Sequence, residues 1–286
     1  MTDIPLVTIG GTPGKPLLHL APANGFVLEI YQPLLRPFFD DFHVVSLPPR
    51  ALWQEMPPPL DSKTDWRDEA HLFLEGIAQH HLPPMVAIGH SFGGIMALIA
   101  ALEHPERFQA VIVLDPTILV REAVNYLAEM QHRGRALENP LAQGALRRRR
   151  IFASVDEAFA NLRSKSVFAQ WSDETLRLYA EYGTRPTETG ERTLTWSPEW
   201  EAYYFSTLYT DMWSMVARLG DLQMPALFLR GGASDTYTEA SANEVAQSAP
   251  QATHKEIEGH GHLFPLSAPE LTAQQIRAWM TQNGLI

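Results

Sequence analysis

Ser91 stands in Gly89-His90-Ser91-Phe92-Gly93, between two runs that decide what a serine there can do. Met85 to Ile88 is a short apolar run of the length and type of a buried strand. Ile95 to Leu102 is apolar, rich in helix formers, and stops before Pro105. A G-x-S-x-G between a strand and a helix is the setting of a nucleophile elbow. Such a turn holds its central residue in a sparsely populated backbone region, and glycines on either side leave room where a Cβ would strike a neighbour. The following helix directs its N-terminal N–H groups and positive dipole end at the hydroxyl.

A serine alcohol is a poor nucleophile until a base takes its proton, and the base needs an acid to orient it. In chain order these partners follow the nucleophile. The base candidates are His260 and His262, in Glu258-Gly-His-Gly-His-Leu-Phe-Pro265, and His262 is preferred. The acid candidates are Asp235, in Gly231-Gly-Ala-Ser-Asp235, and Asp115, which ends the run Val111 to Leu114; Asp235 is preferred. An oxyanion requires two donors. The N–H of Phe92 is one, and the Asn24-Gly25-Phe26 loop supplies the other through the N–H of Phe26. Asn24, Gly25 and His90 are the candidate substrate-binding residues beside these groups. No pair has helix-borne metal spacing such as H-E-x-x-H, so neither a metal nor another cofactor is expected.

The elements that must carry these residues alternate. Strands are expected at Ile4 to Ile9, Leu17 to Leu20, Val44 to Leu47, Met85 to Ile88, Val111 to Leu114, Ala226 to Arg230 and His254 to Ile257. Helices are expected at Asp65 to His81, after the elbow, near Glu239 to Ser248 and near Pro269 to Gln282. Strands alternating with helices mean crossover units and a mostly parallel sheet with helices on both sides. A Pro-rich loop carries Met56-Pro-Pro-Pro59. From Thr117 to Leu219 only helical segments are read: Glu122 to Arg133, Val155 to Lys165, Asp173 to Tyr182 and Pro198 to Met215. The expected organisation is therefore an α/β core of residues 1–116 and 220–286 with a helical cap at 117–219. Thirteen of the chain's 28 aromatic residues lie between Phe152 and Trp213. Most should form the cap's own core, and some should line an apolar pocket over the elbow.

Composition narrows the classes. The 286 residues are 45% hydrophobic and 19% charged, an ordinary globular balance, and the net charge of −11 argues against a broad grip on nucleic acid or anionic lipid. Arg147 to Arg150 is the one basic run and reads as a solvated face or a set of ion-pair donors. With no cysteine there is no disulfide, thiol nucleophile or thiolate metal site. No apolar run reaches membrane-span length, and Met1-Thr-Asp-Ile-Pro lacks a secretory pattern, so a cytoplasmic protein is expected, monomer or homodimer, with a small-molecule substrate.

Taken together, these motifs resemble the α/β-hydrolase superfamily, in its capped branch of Ser-His-Asp hydrolases. Leu17-Leu-His-Leu with Asn24-Gly-Phe26 resembles the oxyanion strand and loop, and Gly89-His-Ser-Phe-Gly-Gly94 the elbow. His104-Pro-Glu-Arg-Phe with Val111-Ile-Val-Leu-Asp115 resembles the following helix end and strand. Gly232-Ala-Ser-Asp235 matches the acid turn, and Gly261-His-Leu-Phe-Pro265 the histidine loop. The resemblance covers roughly the first 115 and last 65 residues. It departs in having Asn24-Gly25 where the family commonly has His-Gly, and Ser267 where a carboxylate is common. It implies an α/β-hydrolase fold and a serine hydrolase. The expected reaction is cleavage of an ester-like bond of a small, largely apolar substrate through an acyl-enzyme. The alternatives are C–C bond hydrolysis of a diketone-like substrate by the same triad, with perhydrolase or haloperoxidase chemistry third, or a small-ligand receptor that turns over slowly or not at all.

Overall fold

The computed structural model describes residues 3–53, 57–59 and 64–286. Met1 and Thr2 lie outside the described residues, as does Met56 of the Pro-rich loop. Seven strands form the main sheet: β1 (Val7–Gly11), β2 (Leu17–Ala21), β3 (His43–Ser46), β4 (Met85–His90), β5 (Phe108–Leu114), β6 (Ala226–Gly231) and β7 (Thr253–Ile257). Their order is β1-β3-β2-β4-β5-β6-β7, and every neighbouring pair is parallel except β1 with β3.

The central strands are mostly apolar because both faces of the sheet are covered. Side chains alternate between the faces. Val86 and Ile88 of β4, with Ala110, Ile112 and Leu114 of β5, pack into the cluster that holds Trp279 and Ile276 of the C-terminal helix. Met85, Ala87, Val111 and Val113 point the other way, against Phe73, Ile95 and Ile99.

Apart from two four-residue helices, Gln32–Leu35 and Phe264–Ser267, the helices run in chain order as α1 (Trp66–Gln79), α2 (Phe92–Glu103), α3 (Arg121–His132), α4 (Pro140–Leu146), α5 (Val155–Arg163), α6 (Asp173–Tyr182), α7 (Pro198–Ser206), α8 (Met212–Ala217), α9 (Glu239–Ser248) and α10 (Pro269–Gln282). Helices α3 to α8 fall in the long stretch between β5 and β6. Side chains cap several of them as their sequences ask: Asp65 accepts from Arg67 N–H at α1, Ser172 from Thr175 N–H at α6, and Ser197 from Trp200 N–H at α7.

Three features of this stretch differ from the sequence reading, the first being α4, which was not expected. The single helix expected over Pro198 to Met215 is two, α7 and α8. The Gln131 side chain of α3 donates to the carbonyls of Ser206 and Leu208 at 3.1 and 2.9 Å, and the Thr207 hydroxyl bonds back to Tyr203 O. These bonds satisfy the backbone where α7 ends. The stretch also contains a small antiparallel sheet of Ile151–Phe152, Arg192–Leu194 and Thr184–Pro186, in that order. Strands of two and three residues are too short to show a period in sequence. Among the described residues, no helix is long and apolar enough to cross a membrane.

Candidate active site

Strand β4 delivers Ser91 at its carboxyl end, with φ 57° and ψ −117°. The turn is possible only because its neighbours lack side chains. A Cβ on Gly89 would lie 2.4 Å from Gly93 O, and one on Gly93 would lie 2.2 Å from Ala21 O. Strands β4 and β5 are in register with His90 opposite Leu114, so the next residue of each, Ser91 and Asp115, leaves the sheet side by side. Asp115 also has a left-handed backbone, φ 45°, and it is the only position besides Ser91 and His81 where a described non-glycine residue has positive φ.

Ser91 Oγ lies 2.9 Å from His262 Nε2, and His262 Nδ1 lies 2.7 Å from Asp115 Oδ2. With Nδ1 protonated toward the carboxylate, Nε2 is left as the acceptor for the serine proton. Asp115 is fully buried, and its charge is matched by three donors: His262, the Gly231 N–H at 2.7 Å and the Ser234 hydroxyl at 2.5 Å. The Thr117 hydroxyl, which sequence reading did not single out, sits 3.0 Å from Ser91 Oγ. It completes the polar surround of the nucleophile.

The preference for Asp235 as the acid is therefore corrected to Asp115. Asp235 is exposed at the cavity rim, and among the described residues its carboxylate accepts only from its neighbour Thr236, at 3.3 Å. In the Gly231-to-Asp235 turn it is Ser234 that points inward, and it does so onto Asp115. The signal available in sequence was a carboxylate directly ending a fully apolar strand adjacent to the elbow strand. His260, the rejected base candidate, is turned to Ser267 Oγ at 3.0 Å and stays off the nucleophile.

His90 does not line the cavity, a second correction. It is fully buried, with Nδ1 2.8 Å from the Tyr31 hydroxyl and Nε2 3.0 Å from the carbonyl of His262. Since Nε2 must donate to that carbonyl, Nδ1 accepts from Tyr31. Burial, then the neighbouring His262, pushes the His90 pKa down to about 3, so it braces the histidine loop as a neutral ring.

The two proposed oxyanion donors differ in state. Phe92 N–H is the first of α2 and has no intrahelical acceptor. Phe26 N–H closes a turn onto Ala23 O at 3.2 Å, with Gly25 at φ 87° supplying the positive angle. It would serve an oxyanion as a donor shared with Ala23.

Ser91, Phe92, His262, Asn24, Gly25 and Phe26 all line one cavity of about 1060 Å³. Of the thirteen clustered aromatics, Phe152, Phe168, Tyr179 and Phe205 line it, while the other nine do not. The wall also carries Arg147, Arg148, Arg149 and Lys165, against the carboxylates of Glu201 and Asp235. Arg149 and Arg150 are ion-pair donors, to Glu157 and Glu199. Arg148 is different: it is largely buried, paired with Glu201, and donates to the Tyr179 hydroxyl at 3.0 Å. Burial works against its charge, but Tyr179 and Glu201 more than offset this and the net shift of its pKa is upward.

The chain matches the alpha/beta hydrolase family over residues 17–275. Among curated proteins it is 26% identical over 273 residues to (E)-2-((N-methylformamido)methylene)succinate hydrolase of Acinetobacter baylyi, covering 93% of this chain and 90% of that one. It is 22% identical over 249 residues to 2-(acetamidomethylene)succinate hydrolase of Mesorhizobium japonicum, covering 86% and 81%. Among solved structures, that of an E-2-(acetamidomethylene)succinate hydrolase superposes with a TM-score of 0.73 at 19% identity, over 95% of this chain and 93% of the other. With a serine, a histidine and a buried carboxylate in hydrogen-bonded series at the sheet's carboxyl edge, the chain belongs to the alpha/beta hydrolase family and is a hydrolase.

Proposed function

We propose that this hydrolase cleaves an acyl group from a nitrogen or carbon leaving group in a small substrate that carries at least one carboxylate. The observation that carries the reading is the charge of the cavity: in a chain of net charge −11, its wall has four cationic side chains and two carboxylates. One of the cations, Arg148, is held in place by Glu201 and Tyr179 with donor positions to spare. An anionic substrate suits such a wall better than the largely apolar ester expected from sequence.

The two curated relatives matched over most of their length favour the same side. Both curated relatives are named for succinates bearing an N-acylamino-methylene group. In such a compound the charge on a departing nitrogen spreads through a C=C bond toward a carboxyl-bearing carbon. A departing enolate is stabilised in the same way when a C–C bond of a diketone is hydrolysed. The alternative expected from sequence, C–C bond hydrolysis by the same triad, is thus better supported than ester cleavage, and cleavage of an amide-type C–N bond, which the sequence reading did not include, stands beside it.

In the proposed cycle His262 takes the Ser91 proton as Oγ attacks the acyl carbon. Asp115 holds the imidazole in its tautomer and stabilises the charged form. The Phe92 and Phe26 N–H groups receive the oxyanion. His262 then protonates the leaving nitrogen or carbon, and water repeats the sequence on the acyl-enzyme.

The test is a substrate panel on the wild-type enzyme, followed by chromatography of products. It pairs an N-acyl enamine dicarboxylate and a diketo acid with their methyl esters, and adds a simple neutral ester of the same acyl group. Charge-assisted bonds of about 1.5–3 kcal/mol give the free acids an advantage of about 10- to 100-fold in kcat/KM over their esters. Ser91→Ala removes turnover of all. Preference for the neutral ester, with free acids no better than their methyl esters, refutes the proposal.

A further inference from the structure

We propose that Tyr179 is a positioning residue for the oxyanion loop, so that the inserted helices complete the catalytic machinery as well as covering it. This rests on the serine-hydrolase reading of Ser91 and not on the choice of substrate.

All three residues of the Asn24-Gly25-Phe26 loop are held from the insertion. The Tyr179 hydroxyl, from α6, donates to Gly25 O at 3.1 Å. Asn24 Nδ2 donates to Glu201 O, in α7, at 3.0 Å. The Phe26 ring packs on Tyr179 and Trp171, with centroids 5.4 and 5.9 Å apart. Arg148, which follows α4, joins the two helices by donating to Tyr179 and pairing with Glu201. Space around the loop is also closed: a Cβ on Gly25 would lie 3.1 Å from the Glu201 carboxyl carbon.

The chemistry of the contact suits a fixed donor. Burial raises the Tyr179 pKa, with Arg148 opposing, so the phenol keeps its proton and donates to the carbonyl. Gly25 O and Phe26 N belong to one peptide plane. A hydrogen bond that fixes the carbonyl therefore fixes the direction of the Phe26 N–H on the opposite side of that plane. Releasing the carbonyl frees the plane to rotate, and the N–H already shares itself with Ala23 O. A donor turned away costs transition-state stabilisation while leaving most ground-state contacts intact.

The experiment uses the full-length enzyme and two probes that need no knowledge of the natural substrate. The second-order rate of Ser91 phosphonylation by a fluorophosphonate is read by intact mass. kcat and KM are measured with a neutral nitrophenyl ester. Tyr179→Phe removes only the hydroxyl, and Asn24→Ala releases the loop from the other helix. Arg36→Ala is the control, since it breaks an exposed ion pair between the core and Glu174 of the same helix α6 without touching the loop. Each loop variant is expected to lose at least about tenfold in phosphonylation rate and in kcat, with KM within about twofold, because full loss of such a donor costs about 10²–10³. Arg36→Ala is expected to match wild type. Tyr179→Phe and Asn24→Ala reacting as fast as wild type overturns the proposal, as does an equal loss in Arg36→Ala. Absence of a wild-type adduct on Ser91 overturns the reading of the nucleophile, and the positioning role with it.

Discussion

Replacing Asp115 by Asn separates the two candidate acids, and the structure specifies why the change is severe. Asp115 Oδ1 accepts from the Gly231 backbone N–H, and Oδ2 accepts from His262 and Ser234. An asparagine must present its NH₂ on one side. The Gly231 N–H cannot turn, and facing it with another donor would leave a buried N–H unpaired at about 1–3 kcal/mol. The Ser234 hydroxyl, which also accepts from the Thr236 and Tyr237 N–H groups at 3.2 and 3.1 Å, can at least turn its own proton away from an NH₂, which the Gly231 N–H cannot. The amide oxygen therefore goes to Gly231 and the NH₂ to His262. That arrangement needs His262 Nδ1 as an acceptor, which puts the ring proton on Nε2, facing Ser91. The base is then protonated before the reaction starts. Loss of the acid in the serine-protease triad costs on the order of 10⁴ in kcat through the wrong tautomer, and the same loss, about 5.4 kcal/mol in the barrier, is expected here. Asp235→Asn changes an exposed group bonded, among the described residues, only to Thr236, so it should stay within about twofold. Phosphonylation rate and nitrophenyl-ester turnover at pH 7 report both variants, with thermal melting to confirm folding. A loss beyond tenfold in Asp235→Asn, with Asp115→Asn retaining a tenth or more of wild-type activity, refutes the assignment.

Two further outcomes follow from packing and burial. His19 and His90 are fully buried and held near pKa 3 by that burial, whereas in the unfolded chain each titrates near 6.5. Below pH 6.5 the unfolded state binds the additional protons, so stability falls as pH falls through the window from 6.5 toward 3. Urea midpoints measured at pH 6 and pH 5 should differ by roughly 2 kcal/mol of unfolding free energy, about 1 from each histidine; a flat profile between these values contradicts the neutral, buried assignment. Gly93→Ala places a methyl 2.2 Å from the Ala21 carbonyl oxygen, a backbone atom of the central strand β2. The cost expected is about 3 kcal/mol with loss of Ser91 labelling, and an unchanged denaturation midpoint would show that the elbow has slack the geometry denies.

What was legible in the sequence was local. The elbow could be read because one sharp turn needs Gly89, Ser91 and Gly93 at fixed spacing, with an apolar strand before and a helix after. α6, α9 and α10 could be read to the residue because their apolar spacing lies within the helices themselves, with Ser172 and Thr238 capping the first two. The central strands were found as apolar runs because both faces of the sheet are buried.

The choice between Asp115 and Asp235 was of another kind. Both follow strands, Asp115 directly and Asp235 through a turn, and that difference alone does not say which carboxylate meets a histidine well over a hundred residues from Asp115. That was decided by β4 and β5 being neighbours in register, which sets Asp115 beside Ser91, and by the turn after β6 sending Ser234 inward and Asp235 outward. Arg148 likewise looked like its neighbours in a basic run, until the packing of α4 against α7 buried it beside Glu201 and Tyr179 and left Arg147 at the surface. Sequence alone determined the nucleophile's turn and the elements around it, because those depend on short-range sterics and periodicity. Only the tertiary structure decided the acid, the loop contacts and the charge of the cavity, because each depends on which distant side chains share a buried space.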